Sequence, residues 1–353
     1  MQDSAMRVKT PLQKQRYAYL NILRCAAILL VISLHCTSGF VSNAAFFGSK
    51  TWWACMITNS FSRMGVPLFF MISGYLLLSS EKTRDIRTFY QKRLARLAVP
   101  FLFWDVVYFL ERCALEGVPP DGLLFFQELA AKGSRYHLWF VYQILGLYLL
   151  APFLKKIVEH SNLRELILFF LLILLQPTFF RFVNVMQSAI QIAPFRALVE
   201  GFAGYFLAGY LLGTYSIPPR GRRAVYLLGL AGLLGGILGN YRTSSPEGIF
   251  LYFSENYSIT QYMTAGALFL LVKETADRFP RWAVRGAEFF SGLTFGVYFI
   301  HVLVLDAYGA ALSRLGWNPA PGLRIAAGFL VVSLTSTCLA YLFSRIPLLR
   351  RLI

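Results

Sequence analysis

Ten apolar stretches, each near the roughly 20 residues an α-helix needs to cross a hydrocarbon core of about 30 Å, recur along the chain. They fall at residues 19–38, 57–79, 94–112, 137–154, 163–180, 197–215, 224–240, 258–273, 289–311 and 325–344, the seventh and eighth being short or glycine-rich. A bilayer offers the backbone no hydrogen bonds, so each crossing must satisfy its own, and the expected fold class is an all-α polytopic membrane protein of about ten transmembrane helices. With 57% apolar and 14% charged residues the chain is too apolar and too charge-poor for a soluble globule. The first stretch has the basic front and apolar middle of a signal peptide, but it carries Arg24 and His35 and no clear small-x-small cleavage site, so it reads as an uncleaved helix.

The formal charge of +17 would point to nucleic acid in a soluble chain. Mapped against the ten stretches with a cytoplasmic N-terminus, 23 of the 34 Lys and Arg residues fall on the inner side and 9 on the outer side, leaving Arg24 and Arg63 within helices. This is the positive-inside bias, and an even helix count keeps Arg345, Arg350 and Arg351 inside, so both termini are expected in the cytoplasm. The excess charge is therefore topological, and a nucleic-acid partner is excluded. One integral membrane domain is expected over 1–353: a basic N-terminal segment 1–16, a ten-helix bundle 17–345 and a tail 346–353. The longest outer loop, 113–136, is about 24 residues and cannot house a catalytic domain, so chemistry has to be intramembrane or interfacial. Five cysteines, an odd number without a CxxC pair, indicate neither a disulfide framework nor a metal site. No P-loop, dinucleotide fingerprint, G-x-S-x-G elbow or H-E-x-x-H helix occurs.

Ionisable groups inside crossing segments are costly and mark function. Arg24 and His35 are eleven residues apart on the first helix. At 100° per residue they lie about 20° from perfect alignment and roughly 16 Å apart along the axis, forming a polar stripe with Arg24 at the cytoplasmic rim and His35 in the outward half. The bland reading has Arg24 snorkelling to headgroups and His35 bonding a neighbouring carbonyl; the aligned pair favours function. Lys92, Arg93 and Arg96 stand where the third stretch enters the membrane, and Arg93 and Arg96, at i and i+3, predict a shared face at a helix N-terminus suited to phosphate groups, or to anionic lipid. His137 and Trp139 open the fourth stretch and could cradle a polar ligand or anchor the interface. Tyr298 and His301 lie at i and i+3 in the ninth; Asp105, Glu200 and Asp306 are further in-segment carboxylates, and Arg63 needs a partner. His160, among inner-loop bases, reads as solvated.

Together these residues form a recognisable pattern. Arg24 with His35, VPLFFMISGYLLL at 66–78, Arg93 and Arg96, YHLWFVYQILGLYLLAPFL at 136–154 and GVYFIH at 296–301 resemble the membrane acyltransferase-3 family from about residue 17 to 345. SRMGVPLFFMISGYL at 62–76 and YHLWF at 136–140 look most like its enterobacterial common antigen O-acetyltransferase branch. The resemblance implies a bacterial cytoplasmic-membrane enzyme moving an acyl group, usually acetyl, from cytoplasmic acetyl-CoA to a hydroxyl of a cell-envelope glycan or lipid-linked sugar. It implies His35 and Arg24 as the pair required for activity, Arg93 and Arg96, flanked by Lys92, as the donor site, and Trp139 as a further functional position. Acetyl-CoA is expected as donor substrate with no tightly bound cofactor and no metal; membrane lipids are partners, and a homo-oligomer is admitted.

His35 could act as general base on the acceptor hydroxyl or accept the acetyl group covalently, with Arg63 or the Trp139 indole stabilising the thioester oxyanion. Tyr241, Tyr252, Phe253 and Tyr257, outside the membrane, could present faces to a sugar or belong to the interfacial belt. The rival from another class is a transporter of a polar small molecule such as an amino acid, or of a lipid-linked glycan. The absence of an inverted-repeat signature and the joint presence of Arg24, His35, Arg93 and Arg96 favour acyl transfer.

Overall fold

The computed structural model describes residues 11–186 and 202–353, with side chains over 18–175 and 202–353. Fourteen α-helices lie in these residues, and none of the described residues forms a strand beyond an isolated bridge between Ser245 and Gly248. In chain order they are α1 (Pro11–Val41), α2 (Lys50–Ser62), α3 (Gly65–Leu78), α4 (Ile86–Arg93), α5 (Ala95–Glu116), α6 (Gly122–Ala131) and α7 (Trp139–His160). Then come α8 (Leu163–Met186), α9 (Phe202–Thr214), α10 (Pro219–Thr243), α11 (Ile259–Thr275), α12 (Arg281–Ser291), α13 (Thr294–Arg314) and α14 (Pro321–Arg345).

Each of the ten apolar stretches holds a helix, as far as it lies in the described residues. Six spans there are long and apolar enough to cross a membrane: Ala18–Val41, Lys50–Leu78, Trp139–His160, Pro219–Thr243, Thr294–Arg314 and Pro321–Arg345. Large leucines such as Leu172 and Leu175 on α8, Leu227 and Leu230 on α10, and Leu330 and Leu334 on α14 face outward, which water would penalise and lipid tails accept. The molecule is a multi-pass membrane protein.

Three interruptions differ from the sequence expectation. The second stretch is not one helix: α2 ends at Ser62, Arg63 caps it, and α3 starts at Gly65. Pro67 lacks an N–H, and its ring would strike the Arg63 carbonyl in a continuous helix, so the break falls where Arg63 stands. Likewise α4 ends at Arg93, and the Leu94 carbonyl accepts from both Leu97 (3.0 Å) and Ala98 (2.8 Å) as α5 begins just before Pro100. The ninth stretch, expected from 289, starts at Thr294; Phe289 belongs to the separate helix α12, whose Trp282 and Phe289 are exposed.

The helices pack through small residues, as association inside a membrane requires. Gly74 of α3 lies against the Phe206 backbone and Gly209 of α9 against the Met71 backbone, so any side chain at either position would collide with main chain. One end of the bundle is basic: Lys155 of α7 is buried, donates to the Leu78 carbonyl (3.0 Å) and pairs with Glu159 (2.6 Å), which also binds Arg84. Arg222 pairs with Glu274, and α12 docks on α1 through Ser291 to Asn21 (3.0 Å). At the opposite end the Trp52 indole donates to the Val41 carbonyl (3.1 Å), and Arg112 binds Glu128.

Candidate functional site

α1 carries a polar group at each depth. Arg24, half-buried near the basic end, makes no hydrogen bond or ion pair among the described residues. Its neighbour is Tyr148 of α7, whose hydroxyl is bonded to Ser73 of α3 and stands within electrostatic reach of both Arg24 and Arg93. Tyr148 thus links the first-helix arginine to α4. The expectation for Arg93 and Arg96 is corrected: they do not share one helix N-terminus. Arg93 is the last residue of α4 and half-buried, whereas Arg96 is in the first turn of α5 and exposed, as is Lys92. Only Arg96 stands where helix N–H groups add to its charge; at a C-terminus the dipole already favours the cation of Arg93.

At the other end of the stripe, three of the four histidines converge from distant parts of the chain. The His35 ring lies 5.3 Å from that of His301 on α13, and His301 lies 5.4 Å from His137, in the turn before α7. Tyr136 closes on His35 at 5.2 Å. The backbone here is held by buried tyrosines: the Tyr298 hydroxyl donates to the His137 carbonyl (2.7 Å) and the Tyr108 hydroxyl to that of Phe299 (2.6 Å). His301 Nδ1 lies 2.6 Å from the Tyr298 carbonyl. A carbonyl only accepts, so Nδ1 carries the proton and Nε2 presents a lone pair. That Nε2 and both ring nitrogens of His137 are buried with no partner among the described residues. Orphaned buried nitrogens cost about 1–3 kcal/mol each, an expense that concentrates where a ligand or proton is handled. The imidazoles do not form a metal-chelating group among the described residues.

Arg63 finds its partner at the helix break. Its Nε donates to Asn59 Oδ1 (3.0 Å), and Asn59 Nδ2 donates to Thr37 and Ser38 on α1 (3.2 Å each), so the guanidinium is tied to the helix that bears His35 and lies within its electrostatic reach. Asp306 pairs with Arg135, and buried Asp105 accepts from the Ser134 N–H (2.7 Å). These partnerships join loop residues to helices and were not legible in sequence spacing. The Trp139 ring packs on Phe202 (5.4 Å) and Phe140 (6.5 Å). Glu200 lies outside the described residues. His160 is exposed, as expected of a solvated side chain.

Sequence reading missed Arg135, Tyr108, Tyr308 and Arg324. The last two, with His35, line a cavity of about 400 Å³ between α1, α13 and α14. The aromatic residues proposed for a sugar site are largely engaged elsewhere: Tyr241 packs on Trp53 (4.7 Å) and Phe47 (5.8 Å), and Tyr257 on Phe202 (5.0 Å).

The chain matches the family model described as an acyltransferase domain over residues 17–345. It is 30% identical over 151 residues to an amino-acid racemase of Enterococcus faecalis, an alignment covering 41% of this chain and 20% of the racemase. The chain therefore spans about a fifth of the length of that relative. No solved structure matches it.

Proposed function

Because this chain belongs to the acyltransferase-3 family of membrane proteins, the family model covering it from residue 17 to 345, we propose that it is an O-acetyltransferase. It moves an acetyl group from cytoplasmic acetyl-CoA to a hydroxyl of a cell-envelope glycan or lipid-linked sugar. In this reading it crosses the bacterial cytoplasmic membrane about ten times, with both termini and the basic end in the cytoplasm, as the positive-inside bias favours. The observation that carries the reading is the arrangement of α1: an unpaired arginine beside Tyr148, which Arg93 also reaches, at the basic end, and eleven residues on, a histidine among two further imidazoles at a cavity.

The donor phosphates rest on Arg93 and Arg24, with Arg96 and Lys92 at the exposed rim. The pantetheine arm then runs along the α1 stripe, about 16 Å to His35. As the acceptor oxygen attacks the thioester carbonyl, His35 takes the hydroxyl proton, and the carbonyl oxygen becomes negative beside Arg63. Collapse breaks the C–S bond, and His35 returns its proton to the departing thiolate, leaving ester and CoA. The His301 ring, its Nε2 without a partner among the described residues, lies 5.3 Å from the ring that becomes the imidazolium between these steps. An acetyl-imidazole at His35 is the covalent variant, and mass-spectrometric trapping of that species would select it over direct transfer.

Calorimetry of acetyl-CoA with the purified, detergent-solubilised protein tests the reading. Micromolar binding, about 8 kcal/mol, that weakens in Arg93→Ala supports it. A well-folded wild type that binds no acetyl-CoA sinks it. The alternative is a carrier for a polar small molecule such as an amino acid, which uptake of labelled serine or alanine into proteoliposomes would reveal.

A further inference from the structure

The cavity of about 400 Å³ at His35 has no place in the donor half of the reaction, and its lining is chemically biased. Its size falls within the roughly 300–1,000 Å³ of small-ligand sites. The half-buried His35 forms one wall, and Asn43 and Tyr308 add polar groups. Gly39 of α1 and Gly309 of α13 also line it, and a Cβ built on either meets nothing within 4 Å, so the space exists because two opposing side chains are missing. At the mouth stands Arg324, in the first turn of α14. Its carbonyl accepts from the Tyr308 hydroxyl (3.1 Å), fixing α14 to α13, while its guanidinium has no ion-pair partner among the described residues. By contrast Arg135 and Arg112 at the same end are paired with Asp306 and Glu128. No Asp or Glu lines the cavity among the described residues.

We propose that this cavity is the acceptor site and that it selects an anionic sugar, one bearing a phosphate or carboxylate that Arg324 holds while a ring hydroxyl meets His35. A planar, always-charged guanidinium reads either anion bidentately, and the absence of an opposing carboxylate leaves the cavity electropositive. A neutral sugar would fit the space and leave the cation unmatched, so charge rather than shape supplies the preference. This deepens the acetyltransferase reading and rests on it for the role of His35; the sugar preference itself can be measured without turnover.

The test is calorimetric titration of the purified full chain with three probes: methyl glucoside, methyl glucuronide and N-acetylglucosamine 1-phosphate. Both anionic probes are expected to bind at least tenfold more tightly than the glucoside, with a margin that shrinks as salt rises. A preference for the phosphate alone identifies a sugar-phosphate acceptor, and for the carboxylate alone a uronic acid; each supports the proposal. Arg324→Gln should bring the anionic probes to the level of the neutral one, Gly309→Leu should abolish binding of all three, and neither should change acetyl-CoA affinity. Gly39→Leu is the second occlusion should Gly309→Leu fail to fold. Equal binding of charged and neutral probes, no sugar binding by a folded wild type, or unchanged binding in the glycine variants overturns the proposal. So does an Arg324→Gln protein that loses only phosphatidylglycerol binding in nanodiscs, which would assign the arginine to a lipid headgroup. Loss of acetyl-CoA binding in wild type with the sugar preference intact would defeat the acetyltransferase reading and leave the anion site standing.

Discussion

In the proposed mechanism His35 and His301 divide the work of one proton. A positioned general base contributes about 10²–10⁴ in rate, so His35→Ala should lower kcat by that factor with acetyl-CoA affinity intact, measured by radiolabelled transfer beside calorimetry. His301→Gln should cost on the order of tenfold to a hundredfold, the range seen when residues that orient a reacting imidazole are removed. It should also move the pH profile of kcat, because the imidazolium would then face only Arg63, Tyr136 and His137. A purely structural His301 would leave that profile in place. Tyr298 acts differently, since its hydroxyl holds the His137 carbonyl. Tyr298→Phe leaves that buried acceptor only the longer bond from the Phe140 N–H (3.4 Å) and should lower stability by about 1 kcal/mol, read as a fall in Tm.

The short helix α4 presents Lys92 and Arg93, and what keeps it folded is its first residue's neighbour. The Asp85 side chain accepts from the Thr88 N–H (3.1 Å) at the N-cap. That interaction with Thr88 holds the Asp85 carboxyl below its usual range. A depressed folded-state value means the cap contributes fully at neutral pH and is lost as pH falls through it. Asp85→Ala should fray α4, seen as faster amide exchange over 86–93, and weaken acetyl-CoA binding without touching the donor residues; Asp85→Asn should preserve both, since an amide oxygen caps equally well. The break at Arg63 was invisible to a search for apolar length because one arginine does not end the run, whereas the break at Leu94 falls at the edge of the third stretch. Pro67, four residues after Arg63, is the local signal that could have placed the first.

For the molecule as a whole, the basic end gathers Arg84, Lys155 and Arg222, and the cavity opens at the other. If the basic end is cytoplasmic, Lys82→Cys should react with a membrane-impermeant maleimide only from inside and Glu247→Cys only from outside. Cys338, exposed about two turns before the end of α14, should react from neither side because lipid covers it. Lys82→Cys labelled from outside would invert the topology and place the donor arginines on the wrong face for CoA.

What the sequence by itself determined is the class of molecule and the identity of its costly residues. Apolar length, charge asymmetry and the rarity of ionisable groups in lipid act locally along the chain, so His35, Arg24 and the helical architecture could be read without coordinates. The partners of those residues were decided only by the tertiary structure. His35, His137 and His301 meet across more than 260 positions of chain, Asp306 meets Arg135 across 171, and a cavity opens where two glycines leave room. Helix packing sets such meetings, and packing depends on the shapes of both surfaces at once, information that no single segment contains.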